Sequence, residues 1–206
     1  MHHIGIDIGS TTVKVVVLDE NKDIKYKSYQ RHHAKSRERA AQLLAEACQA
    51  LGGDEEITVS LSGSAALKAA QLTDLPFVQE VFATRVAVET FAGEVDAVVE
   101  LGGEDAKILF LTNGSEERMN GSCAGGTGAF IDQMASLLSL SLEELDALSL
   151  QHRQIYQIAS RCGVFAKSDI QPLLNQGAGK ADIAASIYQS IVSQTIAGLA
   201  QGREIK

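Results

Sequence analysis

One arrangement of residues occurs twice in this chain, once near the N-terminus and once near the middle. The two segments read DIGSTTVK, starting at Asp7, and ELGGEDAK, starting at Glu100. In both, an apolar run ends at an acidic residue, a glycine-containing polar turn follows, and a lysine stands seven positions after the acid. A short polar turn between two apolar runs is typical of a β-hairpin. The repeat therefore predicts an α/β protein with two half-domains of similar design, each offering a hairpin turn to a common cleft.

The first turn has the composition of a phosphate-binding loop. It contains a glycine and three hydroxyl residues, and Lys14 follows two positions later. Backbone amides, hydroxyls and an ammonium group suit a phosphate chain, and the hard oxygens of Asp7 suit hydrated Mg²⁺. The chain has neither a Walker loop nor a dinucleotide-binding fingerprint. A purely structural hairpin would also use glycine and serine, so that alternative stays open.

The remaining periodicity predicts the other elements. Apolar alternation and turn residues predict further strands at 23–29, 57–61, 96–101, 106–112 and near 117–119. Helical spacing predicts helices over 37–51, 83–93, 130–140, 166–174 and 180–201, and another that starts with a capping box at Ser141. The boundary between the half-domains is predicted between residues 93 and 94, giving domains of 1–93 and 94–206.

Composition excludes several classes of partner. The net charge is −8, which argues against nucleic acid or an anionic membrane as a main partner, because both attract basic surfaces. The apolar runs are far shorter than the roughly 20 residues of a membrane span. Three cysteines without a CxxC pair indicate a reducing compartment, and we expect a cytoplasmic protein. Cys48 lies among alanines and leucines and is expected to be a small core residue.

A second glycine-rich stretch, NGSCAGGTGAFID over residues 120–132, contains Cys123. Glycine permits close backbone approach, and an apolar helical pattern follows at once, so this loop is expected to present amides at a helix N-terminus. Cys162 has a comparable setting in RCGVF. A glycine-rich turn with an incidental thiol is the alternative.

Together, GIDIGSTTVK, ELGGEDAK, NGSCAGGTGAFIDQMA and SRCGVFAKSDI resemble the activator ATPases of 2-hydroxyacyl-CoA dehydratases and benzoyl-CoA reductases. That family lies within the actin, sugar kinase and chaperone ATPase superfamily. The resemblance implies an actin-like (ribonuclease H-like) fold with two halves around a nucleotide cleft. It also implies a homodimer with one 4Fe-4S cluster, held by Cys123 and Cys162 of each subunit. The loop glycines would then allow close approach between subunits and movement of the helix.

The resemblance further implies ATP hydrolysis with Mg²⁺ and release of ADP. Asp7 and Asp105 would hold Mg²⁺ through water, and Asp105 would also take part in catalysis. Glu80, between the halves, would orient the attacking water. A reduced ferredoxin or flavodoxin would supply a low-potential electron, which passes to the dehydratase or a similar reductase. The residues implied at the nucleotide are Gly9, Ser10, Thr11, Thr12, Lys14, Gly102, Gly103, Asp105 and Lys107.

The chain departs from the superfamily pattern at its C-terminal end. No Gly-Gly pair follows Gly126, although members usually carry a late glycine-rich turn for the adenosine. We therefore expect a C-terminally truncated chain with an incomplete second half. Two alternatives stay open. One is a small-molecule kinase of the same superfamily, with Asp132 or Asp169 as its base, and the other is a nucleotide-binding sensor without turnover.

Overall fold

The structure is a computed structural model that describes residues 1–52, 56–112, 114, 116–120, 125–159 and 162–205. The chain divides into two compact units, residues 1–94 and 95–206, and each contains both helices and strands. Within the described ranges, none of the helices combines the length and the apolar character needed to cross a bilayer. The identity of each unit as an actin-like half-domain stays a prediction.

The first unit contains a four-stranded sheet and helices, of which the first two pack against one face of the sheet. Its strands are β1 (His2–Ile8), β2 (Thr12–Leu18), β3 (Ile24–Arg31) and β4 (Ile57–Ser62), in the order β3-β2-β1-β4. β1 is antiparallel to β2 and parallel to β4. The helices are α1 (Ser36–Ala50), α2 (Leu67–Thr73) and α3 (Glu80–Phe91). Alternate residues of β1 and β2 are buried with side chains of α1 and α2, and the core includes Ile4, Ile6, Ile8, Val13, Val15, Val17, Leu43, Ala47 and Ala70.

Asp7 and Lys14, which flank the first turn, lie on the face of the sheet opposite the core. Because successive side chains point to opposite faces, burial of Ile6 and Val13 turns Asp7 and Lys14 to the other face of the sheet. Both hairpins that the sequence predicts are confirmed by the strand pairing. Cys48 packs against the core of this unit, as expected.

The second unit contains a three-stranded antiparallel sheet and a group of helices. The strands are β5 (Ala97–Leu101), β6 (Ala106–Phe110) and β7 (Glu116–Met119), in that order. The helices are α4 (Gly128–Leu137), α5 (Leu142–Ser149), α6 (Gly163–Asn175) and α7 (Lys180–Gln194). The capping box predicted at Ser141 is present at the start of α5. The helical core includes Phe130, Met134, Leu145, Ile170, Ile183 and Ile187.

The last predicted helix differs from the one observed. The sequence predicts one helix over 180–201, but α7 ends at Gln194 and the chain continues as a π-helical segment, Thr195–Ala200. The wider helix is stabilised at its end by Arg118, which donates to the carbonyls of Leu199 and Ala200 at 3.2 and 2.5 Å. Long-range contacts of this kind leave no trace in hydrophobic periodicity.

The segment 152–159, called the strap below, lacks helix or strand structure and is held by side chains of α6 and α7. Asp182 accepts from the amides of Arg153 and Gln154 at 2.7 and 3.1 Å. Ser186 accepts from Tyr156, and Asp169 accepts from Ala159, both at 2.8 Å. These side-chain acceptors replace the carbonyls of a neighbouring strand, because the amides of an extended backbone need hydrogen-bond partners. The strap leads into the segment that contains Cys162.

The strap gives a pH-dependent prediction. The amides of Arg153 and Gln154, with the charges of His152 and Arg153, lower the pKa of Asp182 below its ordinary value of 3.8. A lowered pKa adds stability above the unfolded-state value, and that stability is lost as pH falls through the folded-state value. We expect the protection of the strap amides, which is the ratio of intrinsic to observed exchange rate, to fall below about pH 4 in the native protein. This pH response should disappear in Asp182→Asn.

Hydrogen exchange of the Arg153 and Gln154 amides measures this effect. Ser186→Ala is the matched control, because it removes a strap bond to a group that does not titrate in this range. It should speed exchange at every pH without changing the pH response. An unchanged acid response in Asp182→Asn would contradict the assignment.

Candidate nucleotide and thiol sites

The first hairpin brings its acid and its lysine together. Asp7 and Lys14 are cross-strand partners, and Lys14 Nζ lies 2.6 Å from Asp7 Oδ2. The ammonium also lies 5.6 Å from the ring centroid of Tyr29. The intervening turn, residues 9–11, is closed by a 3.0 Å hydrogen bond from the Gly9 amide to the Thr12 carbonyl. The positive charge and the turn therefore occupy one end of the sheet.

His32 holds this turn by two hydrogen bonds, and it is not among the site residues predicted from the sequence. Its amide donates to the Thr11 carbonyl at 3.1 Å, and its ring Nε2 lies 3.2 Å from the Gly9 carbonyl. The Ala34 amide donates to ring Nδ1 at 3.1 Å. Nδ1 must therefore accept, so Nε2 carries the proton and donates to Gly9. Only the adjacent histidine pair in RHHAK marks the position, and no spacing rule connects it to the turn.

These bonds engage three of the carbonyls of the first turn. The oxygens of Gly9, Thr11 and Thr12 are all engaged. Among the described residues, no turn or loop carbonyl accepts a hydrogen bond from the amide of Ser10 or that of Thr11. Successive amides in a turn can bind an anion when they point to the same side. The amides of Ser10 and Thr11 are therefore candidate donors for a phosphate.

A buried carboxylate oxygen lies beneath the same turn. Asp7 Oδ1 is buried, as is Ser62 Oγ, and neither atom has a hydrogen-bond partner within the described ranges. Ser62 is the partner of Asp7 in the parallel pairing of β1 with β4. The Asp7 side chain remains 25% exposed, so it can also accept from water. This donor set fits a hydrated Mg²⁺, which prefers carboxylate and water oxygens.

Gly63 is required by its contacts as well as by its backbone conformation. Its φ is +95°, and a Cβ there would collide with Asp7 Oδ1 and come within 2.5 Å of the Ile8 carbonyl oxygen. Gly52 has a similar φ of +85°, but a Cβ on it would meet nothing within 4 Å. An added side chain would therefore meet backbone strain at both glycines but a steric collision only at Gly63.

The second hairpin repeats the pairing with different chemistry. Glu100 and Lys107 are cross-strand partners, and their charged atoms lie 3.7 Å apart. Lys107 is only 7% exposed, so this cation is held within the unit. A Cβ on Gly102 would lie 2.5 Å from Asp105 Oδ1 and 3.1 Å from the Asp105 carbonyl. The Asp105 side chain consequently folds back over its own turn.

Residues 121–127, which include Cys123 and are called the cysteine loop below, are flanked on both sides by residues that hydrogen-bond to the second hairpin. Before it, Asn120 accepts from and donates to Ala106, at 2.8 and 2.9 Å. After it, the amides of Gly128 and Ala129 donate to the carbonyls of Gly102 and Gly103, at 2.7 and 3.3 Å. Cys123 itself lies outside the described residues. The start of α4 is thus hydrogen-bonded to the turn that is predicted to hold phosphate.

Gly128 shows what a loop glycine approaches. A Cβ on it would lie 3.0 Å from the Gly102 carbonyl oxygen. The sequence predicts close approach between subunits for these glycines, but at Gly128 the close approach is to a turn of the same chain. Thr127, which is fully buried, caps α4 by accepting from the Phe130 amide.

Cys162 stands at the N-cap of α6. Its φ and ψ are −145° and 124°, and no side chain caps the helix there. The thiol is free and partly exposed. Its partial exposure at the start of a helix leaves the sulfur accessible, so Cys162 is a candidate metal ligand. Beside it, α4 and the start of α6 line a groove of about 890 Å³.

The other predicted acidic residues have separate positions. Glu80 is the first residue of α3, and its role in orienting water stays a prediction. Asp132 lines the groove between α4 and α6. The Asp169 carboxylate accepts from the Ala159 amide, which gives it a structural task in the strap. No observation singles out either aspartate as the base of a kinase.

The contrast between Gly63 and Gly52 yields a stability prediction. Gly63→Ala is expected to lower the free energy of unfolding by about 3 kcal/mol, because a collision with backbone adds to the cost of a positive φ. Gly52→Ala should cost only about 1 kcal/mol, from φ alone. Chemical denaturation of both variants measures the difference. Equal losses would show that Gly63 serves only backbone conformation.

Comparison with known proteins identifies the family. A model of the BadF/BadG/BcrA/BcrD ATPase family matches residues 4–206. The (R)-2-hydroxyglutaryl-CoA dehydratase activating ATPase of Acidaminococcus fermentans is 29% identical over 202 residues, which cover 97% of this chain and 77% of that protein. The 2-hydroxyisocaproyl-CoA dehydratase activator of Clostridioides difficile is 29% identical over 211 residues, covering 94% and 74%.

Two solved structures agree in fold. The activator of the 2-hydroxyisocaproyl-CoA dehydratase from Clostridium difficile, with bound ADPNP, gives a TM-score of 0.87 at 28% identity and covers 100% of this chain and 77% of its own. Component A of the Acidaminococcus fermentans (R)-2-hydroxyglutaryl-CoA dehydratase gives 0.88 at 28% identity, covering 100% and 80%. The predicted α/β, actin-like fold class is confirmed. The chain belongs to the BadF/BadG/BcrA/BcrD ATPase family, which confirms the predicted ATPase.

Proposed function

We propose that this protein is an ATP-dependent iron-sulfur electron-transfer activator. It passes a low-potential electron to a 2-hydroxyacyl-CoA dehydratase or a related reductase, and ATP hydrolysis drives the transfer. The observation that carries the proposal is the hydrogen bonding of Asn120 and Gly128, on either side of the cysteine loop, to the second hairpin, because it connects the neighbours of Cys123 to a turn proposed to bind phosphate. Relatives named as activators of three such dehydratases support the class of partner.

The thiols Cys123 and Cys162 of each subunit would hold one 4Fe-4S cluster in a homodimer. Cys162 fits this role through its helix N-cap and its exposure. Within the described part of the chain, no three His, Cys, Asp or Glu side chains gather as a metal site. Four thiolates would then require Cys123 and a second copy, since a two-fold axis doubles whatever lies on it. When bound, the cluster would supply reversible one-electron chemistry at low potential.

The surface around Cys162 suits a subunit contact. Val164 and Phe165, in the first turn of α6, are 72% and 66% exposed. Large apolar side chains exposed next to a candidate ligand are typical of an interface. The groove between α4 and α6 lies at the same place and can accept side chains of the second copy.

The two turns would bind ATP and Mg²⁺. The amides of Ser10 and Thr11, with Lys14, neutralise phosphate charge, and Gly102 and Gly103 leave room for close approach. Phosphoryl transfer needs chiefly positioning and neutralised charge, which these groups supply without a covalent nucleophile. Asp7 and Asp105 would hold the hydrated Mg²⁺, and Glu80 would orient the attacking water. The remaining residues of the site are Gly9, Thr12 and Lys107.

Nucleotide and thiol chemistry are joined by the second turn. If ATP shifts the carbonyls of Gly102 and Gly103, then the amides of Gly128 and Ala129 must follow or lose their bonds. A ligand changes a conformational equilibrium only through unequal affinity for its two states. ATP would bind the two states with unequal affinity, because the position of the second turn determines both the phosphate contacts and the start of α4. The electron donor would be a ferredoxin or flavodoxin in the cytoplasm.

The cluster and the ATPase can be separated by mutation. We expect anaerobically purified protein to be a brown dimer with about four iron atoms per two chains. Cys162→Ser should lose the iron and the visible spectrum. Cys48→Ser is the control and should keep both, because Cys48 packs against the core of the first unit. Lys14→Ala should lose ATP hydrolysis while keeping the cluster spectrum.

Iron and sulfide analysis, the visible spectrum and phosphate release give these results. A colourless monomer that cannot be reconstituted would overturn the iron-sulfur proposal. If Lys14→Ala keeps normal ATP hydrolysis, the assignment of the first turn to phosphate is wrong.

The joint at Gly128 gives a further prediction. Gly128→Ala places a Cβ against the Gly102 carbonyl, so we expect ATP affinity to fall roughly three- to tenfold, the equivalent of about one hydrogen bond. Gly179→Ala, at the N-cap of α7, is the control, because a Cβ there makes only ordinary contact with Asp182 at 3.6 Å. ATP should also change the rate at which a thiol reagent modifies Cys123, when Cys48 and Cys162 are replaced by serine.

Titration with ATP and thiol-labelling kinetics measure the two effects. In Gly128→Ala the nucleotide dependence of labelling should be lost, and in Gly179→Ala it should persist. Labelling that responds to ATP equally in both variants would show that the joint does not transmit the nucleotide state.

A further inference from the structure

The backbone conformation of residues 33 and 34, just after β3, fixes the orientation of the His32 imidazole ring. His33 and Ala34 both have a positive φ, 46° and 63°, although neither is glycine. Such a conformation costs roughly 1–2 kcal/mol per residue and persists only where the surroundings impose it. Here it brings the Ala34 amide to His32 Nδ1. The ring is thereby fixed in the tautomer that donates to Gly9.

We infer that His32 is a positioning residue of the ATPase, which holds the first turn in its phosphate-binding form by donating from Nε2 to the Gly9 carbonyl. The inference rests on the proposed assignment of that turn to the phosphates of ATP. His32 itself touches no phosphate, since it is 8% exposed and both of its ring nitrogens are engaged within the chain.

Electrostatics explains why the carbonyl must be held. A peptide unit that rotates exchanges its oxygen for the neighbouring amide at the same surface. If the Gly9 carbonyl is released, the peptide that links it to the Ser10 amide is free to rotate. An oxygen turned toward phosphate repels it, whereas the Ser10 amide attracts it. The bond from His32 therefore selects the orientation that attracts an anion.

Two substitutions test the two hydrogen bonds of the His32 ring separately. His32→Asn keeps an acceptor for the Ala34 amide, because asparagine accepts from the amide two residues ahead in an Asx turn. Its side chain is too short to reach the Gly9 carbonyl. His32→Gln places an amide donor near the position of Nε2 and can restore that bond. His33→Asn is the matched control, since His33 is exposed and asparagine tolerates its positive φ.

Steady-state ATP hydrolysis, ATP affinity and denaturant unfolding are measured on the whole chain at a temperature where every variant is folded. His32→Asn is expected to raise the KM for ATP roughly three- to tenfold, in line with the loss of about one hydrogen bond, with a smaller change in kcat. His32→Gln should recover most of the affinity, and His33→Asn should match the unaltered protein.

Each outcome decides the inference. Equal KM values in His32→Asn and the unaltered protein would overturn it. So would a His32→Gln variant as impaired as His32→Asn, because the donor would then be irrelevant. If Lys14→Ala also hydrolyses ATP normally, the proposed phosphate site itself has failed. If Lys14→Ala is inactive while His32→Asn is normal, only the role of His32 is wrong.

Discussion

An acid and a lysine face each other across each hairpin, and the geometry of both turns depends on that pairing. Asp7 pairs with Lys14, and Glu100 pairs with Lys107, at equivalent positions of the register. A slip of one residue would turn every side chain to the opposite face and would separate each pair. The ion pairs alone are worth little where they are exposed, but Lys107 is buried and needs its partner. Register and charge thus fix the size of each turn.

The pairing also explains which parts of the site the sequence could predict. The acid, the glycine and the lysine lie within eight residues of one another, so a local pattern contains the whole hairpin. The capping box at Ser141 is local for the same reason. His32 lies 23 positions from Gly9, and only the return of β3 beside β2 brings it to the turn. The π-helical segment likewise depends on Arg118, which is 81 positions from Leu199.

The glycines also show what a sequence cannot predict about tertiary contacts. Composition predicts that a loop with several glycines brings backbone close to something, but it cannot name the neighbour. Gly63 approaches Asp7, and Gly128 approaches Gly102, whereas Gly52 approaches nothing within 4 Å. Gly128 is required by packing alone, Gly52 by its positive φ alone, and Gly63 by both. The sequence does not distinguish packing contacts from a positive φ, because each of the three is a glycine at the end of a helix or strand.

The anchoring of the cysteine loop limits how strongly a nucleotide can act on it. The four hydrogen bonds between the second hairpin and the residues that flank this loop contribute about 1 kcal/mol each. Breaking or making two of them changes an equilibrium by roughly thirtyfold, since 1.4 kcal/mol is a factor of ten. That is enough to move a population between two arrangements, yet too little to trap either one. A joint of this strength suits a device that must return to its first state in every cycle. A covalent link or a larger apolar contact at the same place would instead hold the loop in one arrangement.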